Sequence, residues 1–86
     1  MKLQDHIRKL LIEKIKEGDD LGAFSDEDDL FAKGILSSLE ILDLVVTLED
    51  TFAVKIPHYE VIEKYFCSLD AMAAYLQSKG VPAAGA

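Results

Sequence analysis

The chain has 86 residues, half of them hydrophobic, and a net charge of −7. That suffices for one small domain with a core; no run of roughly 18 apolar residues exists to cross a membrane, and the N-terminal MKLQDHIRKLL lacks the apolar region of a secretory signal. The acidic balance argues against nucleic acid, whose phosphates it would repel, and the single Cys67 excludes an internal disulfide and fits a reducing cytoplasm.

Taken in chain order, Leu3, Ile7, Leu10 and Leu11 fall at helical spacing and predict a first helix over about 3–17, with Gly18 as its stop. A long acidic connection follows, GDDLGAFSDEDDLFAKG. Leu21, Phe24, Leu30 and Phe31 are its apolar anchors, so it is expected to lie over the core. A structureless connection of this length often serves function. A second helix is expected over 38–52, closed by the break at Pro57. A short third helix is expected within HYEVIEKY. The fourth starts after Ser68, a good N-cap, with Leu69, Met72, Ala73 and Leu76 facing inward and Gly80 ending it. Residues 80–86, GVPAAGA, read as a flexible tail, so 1–79 form one domain. No strand pattern and no internal repeat stand out, and the class is all-α, a small four-helix bundle with a long first loop and a short third helix.

Charge is unevenly spread. Residues 1–16 contain Lys2, Arg8, Lys9, Lys14 and Lys16, whereas residues 17–50 contain many acids and one base, Lys33. A basic protein surface is the natural complement; a merely solubilising face is the alternative. The run Asp26 to Asp29 lacks the ligand pattern and glycine of a calcium loop, so no metal site is expected. Cys67 reads as a small buried or half-buried residue.

The densest pattern is GILSSLEILDLVVTLEDTF, residues 34–52. Ser37 and Glu40 have the spacing of a capping box, in which the serine oxygen accepts from the backbone N–H three residues on and the glutamate reaches back. Ser38 then stands at the first helical position and is not needed for the cap. Its hydroxyl lies where helix dipole and free N–H groups favour an attached anion. Stepping about 100° per residue from Ile41, Ile41, Leu44, Val45, Leu48 and Phe52 share the core face. Glu40, Asp43 and Asp50 gather opposite, bordered by Leu39 and Val46. Two apolar residues beside an acidic stripe suit a pocket ringed by Arg and Lys; packing of Leu39 and Val46 beneath the long loop is the alternative.

The region GILSSLEILDLVVTLEDTFAVKIP resembles the acyl carrier proteins and the related peptidyl and D-alanyl carriers, whose mark is Gly-x-x-Asp-Ser-Leu, an acidic helix ending in LE…F, and then Ile-Pro. The register runs without a gap from Gly34 to Pro57, and KYFCSLDAMAAYL resembles the family's last helix and its lead-in. The resemblance implies a 4′-phosphopantetheine group on Ser38, placed there from coenzyme A by a separate transferase with Mg²⁺, and a thiol that carries acyl or aminoacyl thioesters between enzymes. It implies no catalysis by the chain itself. It also implies docking of the phosphopantetheinyl transferase and of loading and processing enzymes on Leu39, Glu40, Asp43, Val46 and Asp50. One departure stands out: Ser37 replaces the family's usual Asp. Ser and Asp cap about equally well, but one negative charge near the transferase's metal is lost.

LFAKGILSSLEIL and KYFCSLDAM look closer to discrete carriers of aminoacyl or specialised acyl groups than to housekeeping fatty-acid carriers. Met1 and a complete first helix favour a free-standing protein, and a monomer is expected. Two other readings compete. One is a helical interaction module that keeps the fold without the prosthetic group. The other is a hydrolase or transferase using Ser38 as nucleophile, which needs a positioned base and an oxyanion site; His6 and His58 are both far from Ser38 in sequence, and His58 reads as a surface or capping residue.

Overall fold

The architecture follows from four amphipathic segments too short to be stable alone. A computed structural model of the protein describes residues 2–14 and 24–83. Helix α1 spans Leu3–Lys14, α2 Ser38–Phe52, α3 Glu63–Phe66 and α4 Leu69–Ser78. The expected end of the first helix near residue 17, its stop at Gly18 and the anchor at Leu21 lie outside the described residues. α1 packs chiefly on α4 and also on α2, while α3 packs on α4. Among the described residues no helix is long and apolar enough to cross a membrane.

Each helix buries the stripe that its spacing dictates. Leu3, Ile7 and Leu11 are fully buried in α1, with Leu10 packed at the edge. Ile41, Leu44, Val45 and Leu48 form the inner face of α2, and Leu69, Met72, Ala73 and Leu76 that of α4. Ser68 caps α4, its oxygen accepting from the Ala71 N–H at 3.0 Å. The third helical segment is broken in two. A 3-10 turn covers His58–Glu60, and α3 begins only at Glu63. Ile62 between them is extended, as suits a β-branched residue, and the break lets α3 turn Phe66 wholly into the core.

The connection between α1 and α2 is tied down from residue 24 onward. Phe24, Leu30 and Leu36 are buried. Arg8 lies 4.6 Å over the Phe24 ring, donates to the Phe24 carbonyl at 2.6 Å and pairs with Asp26 at 2.7 Å. The Leu30 N–H donates to the Cys67 carbonyl, and the Asp70 N–H to that of Asp26. The acids of this run have structural work: Asp28 accepts from the Ser25 N–H and Asp29 from those of Phe31 and Ala32. No group of side chains suited to a metal ion occurs among the described residues.

Burial pushes the Asp26 carboxyl up, but hydrogen bonds from Arg8 and then Lys2 outweigh it and hold the group below its ordinary value of 3.8. A lowered folded value means that this stabilisation is complete above the unfolded value and is lost as pH falls through the folded one. Asp26→Asn is therefore expected to melt lower at neutral pH, by about 0.5–1 kcal/mol. The gap to the parent should close in strong acid. A parallel series of thermal melts from neutral pH downward checks this; a gap that persists unchanged in strong acid would rule the ion pair out as its source.

Of the stretch 80–86 expected as a loose tail, residues 80–83 are described. Gly80 takes φ +101, a left-handed conformation open to glycine, and turns the chain back. Val81 is then buried, its N–H donating to the Leu76 carbonyl at 3.0 Å, and the Ala83 carbonyl accepts from the Leu3 N–H at 2.9 Å. Gly, Pro and Ala resemble tail composition, but one apolar side chain and two backbone bonds hold these residues to the domain. Residues 84–86 lie outside the described residues.

Candidate functional site

The site is built around the start of α2. The Leu30 carbonyl accepts from both the Ile35 and Leu36 N–H groups, at 2.9 and 3.1 Å, and Gly34 supplies the left-handed turn (φ +75) that these bonds require. Leu36, just before the cap, and Ile41, four residues after it, are both buried, the positions of a hydrophobic staple. Ser37 is extended at the N-cap. Its Oγ accepts from the Glu40 N–H at 3.2 Å, and its own N–H donates to Glu40 Oε1 at 2.9 Å. Ser37→Ala is expected to lower stability by about 1 kcal/mol, read as a lower Tm with unchanged helical content at room temperature. A melt superimposable on the parent's would show that the cap contributes nothing.

With the cap completed by its neighbour, Ser38 is left exposed at the first position of α2. It lines a groove of about 490 Å³. From α2 the groove also takes Ile41 and Leu42, and from the preceding connection Phe31. The other contributors are His58, Val61, Ile62 and Glu63. The lining is thus largely apolar, with a hydroxyl, an imidazole and a carboxylate among it. Sequence reasoning missed the groove, because residues some twenty positions apart are brought together only by the bundle. It also set His58 apart from Ser38, whereas both border the same groove.

Along the outside of α2, Leu39 is 78 % exposed and Val46 55 %. They do not pack beneath the loop. Glu40, Asp43 and Asp50 are exposed as well. Leu42, 47 % exposed, joins this surface to the groove and was not singled out by helical spacing. Glu40 has two parts in the arrangement, since the same carboxylate closes the capping box.

The residues at the start of α2 suit an attached phosphate ester. The hydroxyl of Ser38 is accessible, the cap is made by Ser37, and a helix N-terminus stabilises a phosphate's charge. A family model described as phosphopantetheine attachment site matches residues 5–76. No curated protein matches the chain.

Proposed function

The chain belongs to the phosphopantetheine attachment-site family, the carrier proteins, and from that premise we propose that Ser38 is the residue that takes the group and that the protein is a discrete, monomeric, cytoplasmic carrier of acyl or aminoacyl thioesters in specialised biosynthesis. As a carrier domain it bears 4′-phosphopantetheine, is not itself catalytic, and works with a phosphopantetheinyl transferase and loading enzymes. The group supplies a terminal thiol that forms thioesters. The observation that carries the reading is the pairing of a capped Ser37 with an exposed Ser38 on the groove. The chain's own contribution is positional: α2 presents the hydroxyl outward, its N-terminal N–H groups favour the ester's phosphate, and the capping box keeps that helix end ordered. Incubation with coenzyme A, Mg²⁺ and a broad phosphopantetheinyl transferase is expected to add one group, mapped to Ser38 by peptide mass spectrometry. Label on Ser37 would overturn the assignment.

Leu39, Glu40, Asp43, Val46 and Asp50 are the surface on which these enzymes are proposed to dock. Support comes from their exposure on one side of α2, acids beside apolar side chains. Because Glu40 also closes the capping box, its charge is better removed as Glu40→Gln, which keeps an acceptor oxygen, than reversed. Glu40→Gln combined with Asp43→Lys is expected to slow modification by a few-fold to about tenfold at low salt. The deficit should shrink as salt screens the charges. Leu39→Ala should weaken docking in a way that salt leaves unchanged. Parent-like rates at low salt would reduce the acidic stripe to a solvated face.

A further inference from the structure

The turn His58–Glu60 borders the groove at Ser38, yet none of its three side chains is buried and no side chain caps it. A surface segment without an apolar anchor of its own takes its position from whatever ties it to the fold. Upstream, Ile56 is buried and its N–H donates to Glu49 Oε2 at 2.8 Å; downstream, Val61 is partly packed and Phe66 fully so. Between these points the tie is Glu60. Its Oε1 accepts from the Tyr75 hydroxyl at 2.5 Å and lies 3.0 Å from Lys79 Nζ. Both donors belong to the body of the fold. Tyr75 is buried with its ring against Tyr65 and Phe66, and Lys79 lies 5.4 Å over that ring at the end of α4.

We propose that Glu60 is a positioning residue, a latch that fastens the groove wall at 58–63 to Tyr75 and Lys79 and thereby sets the shape of the groove at Ser38. Val61 and Ile62 follow Glu60 directly, and the Ile62 N–H donates to the Glu60 carbonyl at 2.9 Å, so a shift of Glu60 carries the lining residues with it. Charge states agree with this geometry. The Tyr75 bond, and then Lys79, hold the Glu60 carboxyl below its usual range, while burial, and then Glu60, push the Tyr75 hydroxyl up. At neutral pH a full carboxylate thus meets a protonated phenol, the combination that makes a strong bond.

The functional consequence rests on the reading of Ser38, but the latch is testable on unmodified protein. Amide hydrogen exchange of the full chain is followed residue by residue by NMR for the parent, Glu60→Gln and Tyr75→Phe. Loss of a charge-assisted bond is expected to speed exchange at Val61 and Ile62 by about tenfold in both variants, while amides of α1 and α2 keep parent-like rates. Parent-like exchange at Val61 and Ile62 in both variants overturns the latch. So does an acceleration shared equally by α1 and α2, which marks a loss of global stability only. Phosphopantetheine uptake measured alongside separates the two readings, since a parent that takes up no group overturns the Ser38 assignment and leaves the amide result standing.

Discussion

Ser38→Ala is expected to keep its unmodified mass after incubation with coenzyme A, Mg²⁺ and a transferase that modifies the parent completely. The effect is all or none because a phosphoester needs an oxygen, and the only other hydroxyl at this helix end, Ser37, is engaged. Its Oγ accepts from the Glu40 N–H and its backbone sits outside the helix at the cap. Ser37→Ala should therefore still be modified, though on a less stable fold. Ser37→Asp should keep the cap and restore the charge usual in carrier proteins before the modified serine, so its uptake rate should equal or exceed the parent's. Intact-protein mass spectrometry reads all three variants in one experiment. Uptake by Ser38→Ala, or its loss in a folded Ser37→Ala, would falsify the assignment.

The second large effect is on stability. Phe66→Ala should destabilise by about 3–5 kcal/mol, a large share of what a domain of this size has to lose. Phe66 is the only buried residue of α3, a helix of four residues, and it is fully enclosed with its ring 5.3 Å from that of Tyr75. A single turn of helix has no stability of its own, so without this anchor α3 should lose its place, and the groove wall before it with it. Thermal melts by circular dichroism should show Tm lowered by roughly 15 °C or more. A drop of only a few degrees would mean that neighbouring side chains collapse into the vacated space.

What could be read in advance was local. The capping box and the apolar period of α2 lie within a few residues of one another, so Ser37, Ser38 and the Ile41–Leu48 face were legible from sequence. The same holds for Ser68 and the inner face of α4. The misses share a cause. The groove joins Phe31 and Leu42 to Ile62, and the Glu60–Tyr75–Lys79 network joins a turn to α4; neither leaves a periodic trace. A short third helix was expected within HYEVIEKY, and α3 at Glu63–Phe66 is that short helix, preceded by the separate turn His58–Glu60. Val81 was taken with the tail because a single apolar residue among Gly, Pro and Ala has no periodicity, whereas its side chain is buried in the core.

The hydrogen bond between Leu3 and Ala83 bears on how such a domain is tethered. It brings residues 3 and 83 together, so linkers grafted at those two positions would start from a common pivot. The volume swept by a tethered carrier would then be the same whichever end held it. Closing that point with a few residues and reopening the chain at an exposed loop should leave every helix in place, a permuted carrier that presents Ser38 from a relocated anchor.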